Sequence, residues 1–273
     1  MEITQWVTTF GLPAQSRGIK IKDHSVALLD SGIDATHPDL VGVVKESQNF
    51  FWPGKDCTDT DGHGTHVAGI ISATGAERIR GAIPGLPLNI GKITGVRGFG
   101  INDGVLTNAL AWALEKSDVV SISLGVPHAV DGISDLVNEA VKRNKIIVAA
   151  IGNKTEDKGD ADYPALYPGV VAVGSVDDNF QLSDFTVQSP AVDINVPGRD
   201  ITSCYPMIKG GYGTESGTSM ATPLVAAMAV LFKAYFPGTG VQDFRTWLKN
   251  ISEVKQVNGY DYRAIRQEII LLK

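Results

Sequence analysis

Three short segments of the chain carry the side chains that serine-based hydrolysis needs, namely a carboxylate, an imidazole and a hydroxyl. Asp30 ends the apolar run VALLD, His63 stands between two glycines in DGHGTHVAGI, and Ser219 opens the apolar stretch SMATPLVAAMAV. In such chemistry the imidazole takes the hydroxyl proton and the carboxylate orients the imidazole. Read alone, Asp30 and Ser219 are better explained as turn or helix-capping residues. Their combination with His63 predicts a nucleophilic serine site.

Taken together, these segments resemble the signatures of the subtilase family, which read D-[ST]-G, H-G-T-H-V-A-G and G-T-S-M-A-x-P. The chain order Asp, His, Ser is also that of subtilisin and differs from the orders in chymotrypsin and the α/β-hydrolases. The resemblance spans nearly the whole chain and implies a serine endopeptidase that forms an acyl-enzyme. It makes Asp30, His63 and Ser219 the catalytic triad, and it makes Asn153, in IIVAAIGN, the side-chain donor to the oxyanion.

The same resemblance implies a peptide-binding cleft beside these groups. VVSISLGVP is similar to the family's substrate-binding strand, with which an extended peptide would pair. Asp162 stands at the base of the pocket for the residue preceding the cut, where relatives often carry a small residue. A carboxylate there would favour Lys or Arg, as in trypsin, but a solvated acidic loop with Glu156, Asp157 and Asp160 is an equal alternative. The assigned substrate-binding residues are Ser123, Leu124, Gly125, Ala150, Gly152, Asp162 and, as a more distant apolar wall, Leu106.

This chemistry requires no cofactor, and we assign no metal. The family's calcium segment is rich in Asn, whereas residues 73–85 read ATGAERIRGAIPG, with Arg78 and Arg80 where oxygen ligands would be needed. Asp39 matches one carboxylate of that site, and a weakly bound structural calcium elsewhere stays open. The HxxH spacing that ends at His66 lacks further ligands at suitable spacing. A structural role is assigned to the remaining histidines, His24, His37, His66 and His128.

The elements that must position these residues alternate along the chain. Continuous apolar, β-branched runs predict buried parallel strands at 25–30, 88–93, 119–124, 146–151 and 170–176. Helical periodicity predicts helices at 64–74, 104–116, 132–144, 219–236 and 241–251. This alternation predicts a doubly wound, mostly parallel α/β sheet with helices on both faces, subtilisin-like in its arrangement. We predict one peptidase domain over residues 1–273, with Asp30 and Asn153 facing a crevice at the strand ends.

Composition excludes several other classes of function. A net charge of −6 and a pI near 5.4 argue against nucleic-acid binding, and no apolar run is long enough to predict a membrane span. Cys57 and Cys204 are too few for a disulfide framework and are predicted to be free thiols. The first 15 residues lack the features of a signal peptide. Because the family is mostly secreted, two alternatives stay open: a cytoplasmic protein, or a secreted one whose leader has been removed.

The expected partner is an extended peptide or protein substrate, bound by a monomer. Two rival functions use the same residues. In the first, an amine resolves the acyl-enzyme and the protein is a peptide ligase or macrocyclase. In the second, the protein is a pseudoprotease that binds peptides without cleaving them. The compact chain shows no obvious insertion to shield an acyl-enzyme from water, and every catalytic position is filled, so hydrolysis is preferred.

Overall fold

The computed structural model describes residues 21–95, 101–155 and 159–266 of the chain. Its strands are β1 Val26–Asp30, β2 Val44–Asn49, β3 Leu88–Lys92, β4 Val119–Ile122, β5 Ile146–Ala150, β6 Val170–Val176, β7 Val192–Pro197, β8 Ile201–Cys204, β9 Tyr212–Glu215, β10 Ser252–Val257 and β11 Tyr260–Ile265. Its α-helices are α1 His63–Ser72, α2 Asp103–Lys116, α3 Ile133–Lys142, α4 Thr218–Tyr235 and α5 Val241–Asn250. Short 3₁₀ turns lie at Ile21–Asp23, Pro38–Leu40 and Met207–Lys209.

Nine of these strands form one sheet in the order β10-β11-β7-β6-β5-β4-β1-β3-β2. Within this sheet the pairings from β2 to β11 are parallel, and the β10–β11 edge hairpin is antiparallel. Strands β8 and β9 form a separate antiparallel pair. The doubly wound α/β fold predicted from the sequence is therefore confirmed. Strands β2 and β7 to β11 were not predicted. The sequence of β2, VKESQN, is mostly exposed at a sheet edge, which removes the apolar pattern of a buried strand.

Helices cover both faces of the sheet, as the continuous apolar strands require. Helices α1 and α4 pack on one face, where the side chains of Val67, Ile70, Val225 and Met228 join the inward side of the strands. Helices α2 and α3 cover the other face with residues such as Leu110 and Val137. Helix α4 is apolar and long enough to cross a membrane by composition, but 83% of it is buried, as in a core helix.

The winding of the sheet brings several strand ends to one crevice. Strand β1 lies between β3 and β4, so the chain builds the sheet outward from β1 in both directions. The gap between β1 and β4 is the topological switch point, where ligands of open α/β sheets bind beyond the carboxyl ends of the strands. Asp30 is the last residue of β1, and Ser123 directly follows β4.

Candidate active site

Asp30 and His63 form a buried hydrogen-bonded pair at this switch point. The His63 Nδ1 atom lies 2.8 Å from Asp30 Oδ1, and the two residues are 4% and 0% exposed. A carboxylate accepts only, so Nδ1 carries the proton of this bond and Nε2 is left to act as a base. The Ser31 amide also donates to Asp30 Oδ1 at 2.7 Å.

The turn before α1 fixes where the His63 ring stands. Gly62 precedes His63 with φ 111°, a conformation that favours glycine. A Cβ at Gly64 would lie 2.2 Å from the Gly32 carbonyl oxygen, so the first turn of α1 packs directly on the turn that follows β1. This close approach brings the His63 ring within reach of Asp30.

The Asp59 carboxylate stabilises the same turn by accepting hydrogen bonds. Its Oδ1 accepts hydrogen bonds from the Ser31 hydroxyl and the amides of Asp61 and Gly62 at 2.9–3.0 Å. Its Oδ2 accepts from the amide and hydroxyl of Thr65 at 2.9 and 2.6 Å. The Ser31 hydroxyl in turn accepts from the Gly64 amide at 2.9 Å. One buried carboxylate thus ties the turn after Asp30 to the start of the His63 helix.

Lys92 completes this support from the neighbouring strand. Its ammonium donates to the carbonyl oxygens of Ser31 at 2.6 Å and Thr58 at 2.7 Å. Burial lowers the pKa of Lys92, while the negative charge of Asp59 acts to raise it. The sequence motif around His63 contained Asp59, but nothing in its residue type distinguished this anchor from a solvated turn residue. Lys92 gave no signal at all, because it is the last residue of an otherwise ordinary apolar strand, β3.

Ser219 lies in the first turn of α4, facing the same cleft as His63. Its hydroxyl donates to the Ser123 carbonyl oxygen at 2.7 Å, and the Ser123 hydroxyl donates back to the Ser219 carbonyl at 2.9 Å. This reciprocal pair joins the end of β4 to the start of α4. The first amides of a helix have no partner within it, so this end of α4 offers N–H groups to a bound anion.

Asn153 is fixed with its amide nitrogen toward Ser219. Its Oδ1 accepts from the Thr218 amide at 2.9 Å and from the Thr218 hydroxyl at 3.1 Å. Because both donors must meet an oxygen, the side-chain orientation is determined and Nδ2 is the atom turned away from Thr218. A Cβ placed on Gly217 would lie 3.3 Å from that Nδ2.

Asp162 lies at the base of the cleft between two glycines. A Cβ at Gly125 would lie 2.5 Å from the Cβ of Asp162, and one at Gly152 would lie 2.8 Å from its Oδ2. The Asp162 amide donates to Ile151 O at 2.9 Å, which anchors the segment beside β5. Asp162 is 5% exposed, so the solvated-loop interpretation does not describe its position. Glu156 and Asp157 lie outside the described residues, and Asp160 does not line the cleft.

The structure brings nearly all the predicted residues to a single cleft of about 270 Å³. Two predicted residues do not line it: Asp30 is fully buried and contacts His63, and Leu106, on the buried side of α2, is 1% exposed in the core. The assignment of Leu106 to a distant subsite stays a prediction. The cleft is lined by the predicted residues His63, Ser123, Leu124, Gly125, Ala150, Gly152, Asn153, Asp162 and Ser219, and by Thr155, Glu215, Ser216, Thr218 and Met220, which the sequence analysis did not assign.

The place matched to the family's calcium does not fit a metal ion. The Asp39 carboxylate accepts from the amides of Glu77, Arg78 and Ile79 at 2.7–3.3 Å and from the Tyr212 hydroxyl at 3.0 Å. Burial acts to raise the pKa of Asp39, but these hydrogen bonds outweigh it and lower the pKa below the usual value. Backbone N–H groups occupy the carboxylate where a calcium ion would need it.

A neighbouring group of possible ligands is likewise engaged. His37, Asp39 and Cys204 place ligand atoms within 4.8 Å of one another. However, the His37 Nε2 lies 2.6 Å from Gly211 O, and its Nδ1 accepts from the Asp39 amide at 3.1 Å. Burial raises the pKa of the Cys204 thiol and so disfavours the thiolate that binds metals. Cys57 and Cys204 are both free and buried, as predicted.

The other histidines have structural partners. The His66 Nε2 lies 3.0 Å from Ile201 O, behind the catalytic face of α1. His24 and His128 pair with Asp118 and Asp103 at 3.3 and 3.0 Å. None of these rings lines the cleft of Ser219.

The fold and the site define an α/β protein with a serine and a buried Asp–His pair at its switch point. The subtilase family model matches residues 22–264, and the chain belongs to that family. It is 39% identical over 230 residues to the "Major intracellular serine protease" of Bacillus subtilis, covering 81% of this chain and 71% of that protein. It is 37% identical over 240 residues to "Subtilisin Savinase" of Lederbergia lenta, covering 87% and 86% of the two chains.

Solved structures agree with the family assignment. "Sphericase" superposes with a TM-score of 0.73 at 29% identity, covering 84% of this chain and 82% of that one. A "cold adapted subtilisin-like serine proteinase" gives a TM-score of 0.76 at 25% identity, covering 88% and 87%. The protein is thus a subtilisin-like serine protease, a hydrolase acting on peptide bonds.

Proposed function

We propose that this protein is an endopeptidase in which Asp30, His63 and Ser219 act as the catalytic triad. The observation that carries the proposal is the buried 2.8 Å contact between His63 Nδ1 and Asp30 Oδ1 in the cleft that contains Ser219. Asp30 holds the ring in the tautomer whose Nε2 accepts a proton. The Ser219 hydroxyl, which donates to Ser123 O in the free protein, turns toward Nε2 as its oxygen attacks the peptide carbonyl.

The remaining steps use the same groups in a fixed order. The carbonyl oxygen becomes an oxyanion, which accepts hydrogen bonds from Asn153 Nδ2 and the Ser219 amide. His63 then gives its proton to the leaving amine, the C–N bond breaks, and the acyl group stays on Ser219. A water molecule, deprotonated by His63, attacks the ester and releases the acid.

Active-site labelling tests the role of Ser219. We expect a fluorophosphonate probe to label the wild type and to fail with Ser219→Ala, while Ser203→Ala, a buried serine outside the cleft, keeps the label. Hydrolysis of an internally quenched peptide should follow the same pattern. A folded wild type that binds peptide but never labels would make the protein a binding module. Joined rather than hydrolysed products in mass spectra would indicate a ligase.

We further propose that Asp162 selects Lys or Arg at the residue preceding the cut. Its side chain packs directly against Gly125 and Gly152, and all three residues line the cleft that contains Ser219. A carboxylate in this cleft would attract a basic side chain of the substrate and disfavour an acidic one. Comparing kcat/KM for matched peptides with Arg, Phe or Leu before the cut tests this. A preference for Phe or Leu would refute it.

Variants of the two acidic residues of this segment sharpen that test. Asp162→Ser should reduce the preference for Arg over Leu by about tenfold or more, because the ion pair in the pocket is lost. Asp160→Ser removes an exposed carboxylate nearby and serves as the control, with an unchanged preference.

We also infer that activity needs no bound metal, since the Asp39 oxygens are occupied by backbone and phenol donors. For the compartment, two relatives carry "intracellular" in their names, which supports action inside the cell. Fractionation of the producing cells with an antibody against the protein would test this inference.

A further inference from the structure

Glu215 is a second acidic side chain in the cleft of Ser219, and the triad mechanism does not use it. It is partly exposed, at the end of β9, and lines the same cavity as Ser219, His63 and Asp162. Its Oε1 accepts a hydrogen bond from the Tyr205 hydroxyl at 2.8 Å. A phenol donor stabilises the ionised form of a carboxylate and holds it in place.

The contacts of Tyr205 place Glu215 on the His63 side of the cleft. A Cβ at Gly62 would lie 2.5 Å from the Tyr205 ring, and the ring packs edge-on against His66 with centroids 6.2 Å apart. Tyr205 therefore lies against the start of α1. Asp162, in contrast, lies beside Gly125 and Gly152 at the ends of β4 and β5. The two carboxylates approach Ser219 from different sides.

The hairpin that carries Glu215 is well anchored. Strands β8 and β9 are antiparallel, with Ile201 opposite Glu215 at one end and Cys204 opposite Tyr212 at the other. Between these pairs, the Thr202 and Thr214 hydroxyls lie 2.8 Å apart. The next residue, Ser216, joins Asp200 by a backbone and a side-chain hydrogen bond at 2.8 and 3.1 Å. The hairpin therefore holds Glu215 in a fixed position, which favours discrimination between substrate side chains.

In the proposed mechanism, the acyl half of the substrate occupies the Asp162 side of the cleft and the leaving half occupies the Glu215 side. The acyl half lies along Ser123–Gly125 with its last side chain toward Asp162, whereas the leaving amine must lie next to His63, which protonates it. The residue after the cut therefore passes the side of the cleft where Glu215 stands. We propose that Glu215 selects Lys or Arg at that residue, so that preferred substrates carry basic side chains on both sides of the cut. This inference rests on the proposed function.

Solvent exposure sets the size of the expected effect. Glu215 is partly exposed, so water and salt screen its charge. An ion pair at such an exposed position is worth about 0.2–1 kcal/mol, which corresponds to a preference of up to about fivefold. Screening should weaken it, since the Debye length falls to about 3 Å at about 1 M salt.

The test uses quenched peptides with Arg before the cut and Lys, Arg, Leu or Glu after it. We expect kcat/KM in the order Arg and Lys above Leu above Glu, with the Arg-to-Leu ratio falling toward one at high salt. Glu215→Gln keeps an acceptor for Tyr205 and should lower that ratio by about threefold to fivefold. Glu215→Lys should reverse the order of Arg and Glu. Glu253→Gln, at the far edge of the sheet in β10, removes the same charge and should keep the wild-type ratio.

Binding measurements separate failure of this inference from failure of the proposed function. In Ser219→Ala, the Kd of the uncleaved peptides should show the same Arg-over-Leu preference, and Glu215→Gln should remove it. Equal Kd and equal kcat/KM for Arg and Leu would overturn the inference while leaving proteolysis intact. Absence of hydrolysis by the wild type, with the binding preference retained, would overturn the proposed function and keep the role of Glu215.

Discussion

Asn153 shows how a single side chain is prepared for its task by one neighbour. The Thr218 amide and hydroxyl both donate to its Oδ1, which leaves Nδ2 as the donor facing Ser219. No other orientation satisfies both groups. In the proposed mechanism this donor is therefore in place before substrate arrives, and the side chain needs no reorganisation when the oxyanion forms.

Removing this donor should lower kcat more than it changes KM. For Asn153→Ala we expect kcat to fall by about 10²–10³, the effect already established for such an amide in subtilisin. Steady-state kinetics with a peptide ester and a peptide amide would measure it. Thr155→Ala, which alters another residue lining the cleft, is the control and should change kcat far less. A fall in Asn153→Ala confined to KM would contradict the assigned role.

Burial of His66 makes the stability of the protein depend on pH. Burial lowers the pKa of His66 to about 4; the negative charge of Glu215 acts to raise the pKa, and the positive charge of His63 acts to lower it further. The unfolded chain binds a proton at this residue near its ordinary pKa, but the folded protein does not. The stability that depends on a neutral His66 is therefore fully present above about pH 6.5 and is lost progressively as the pH falls toward about 4.

A variant that cannot titrate should remove this loss. In a Ser219→Ala background, which prevents self-digestion, we expect His66→Gln to reduce the drop in unfolding free energy between about pH 7.5 and pH 5 by about 2 kcal/mol. Urea unfolding at the two pH values measures it. His128→Gln, at an exposed ring, is the control. An unchanged drop in His66→Gln would show that another group causes the acid sensitivity.

At the scale of elements, the site depends on how the turn after β1 meets the start of α1. Asp59 receives five hydrogen bonds from both segments, and Lys92 holds the carbonyls of Ser31 and Thr58. These bonds determine the distance between Asp30 and His63. Neither residue needs to touch the substrate to affect the reaction.

Asp59→Asn should weaken the site without closing the substrate cleft. The new amide would face donors that now meet an oxygen, a loss of about 1–3 kcal/mol. We expect kcat to fall by about tenfold with KM nearly unchanged, because positioning of His63 affects the transition state and not peptide pairing. Asp56→Asn, at an exposed residue of the same loop, is the control. A rise in KM at constant kcat would argue for a substrate-binding role instead.

At the scale of the whole molecule, Asp39 joins parts of the chain that are distant in sequence. It follows the turn after β1, its amide partners lie at 77–79, and its phenol partner is Tyr212 of β9. The Arg78 guanidinium also stacks over the Tyr212 ring at 5.0 Å. These contacts tie the segment after α1 to the β8–β9 hairpin by means of protein groups alone.

Metal removal should therefore leave stability unchanged, whereas Asp39→Asn should lower it. We expect a chelator to leave the Tm of the wild type unchanged, whereas Asp39→Asn should lower stability by about 1–3 kcal/mol through unpaired amides. Since the pKa of Asp39 lies below its usual value, this contribution is present at neutral pH and disappears in acid. Glu77→Gln, which keeps the backbone donor, is the control. A chelator-induced fall in Tm that calcium restores would refute metal independence.

The sequence by itself determined the family and the α/β fold class with its central buried strands, and it predicted Asp30, His63, Ser219 and Asn153 as the site residues. Those features depend on local patterns, because continuous apolar runs and glycine-flanked polar residues are visible within a few positions. The strands β2 and β7 to β11 were not predicted. Asp59, Lys92 and Glu215 were missed as well, since their residue types are ordinary for turns, strand ends and charged surfaces.

Only the tertiary structure decided what those ordinary residues do. Asp162 became a cleft carboxylate because Gly125 and Gly152 approach it from two different strand ends. The Asp39 carboxylate joins Glu77 and Tyr212 by hydrogen bonds, and Leu106 packs in the core. Both results depend on contacts between segments that are far apart in the chain. The function of a charged side chain depends on what surrounds it, and those surroundings are assembled from elements that the linear sequence keeps apart.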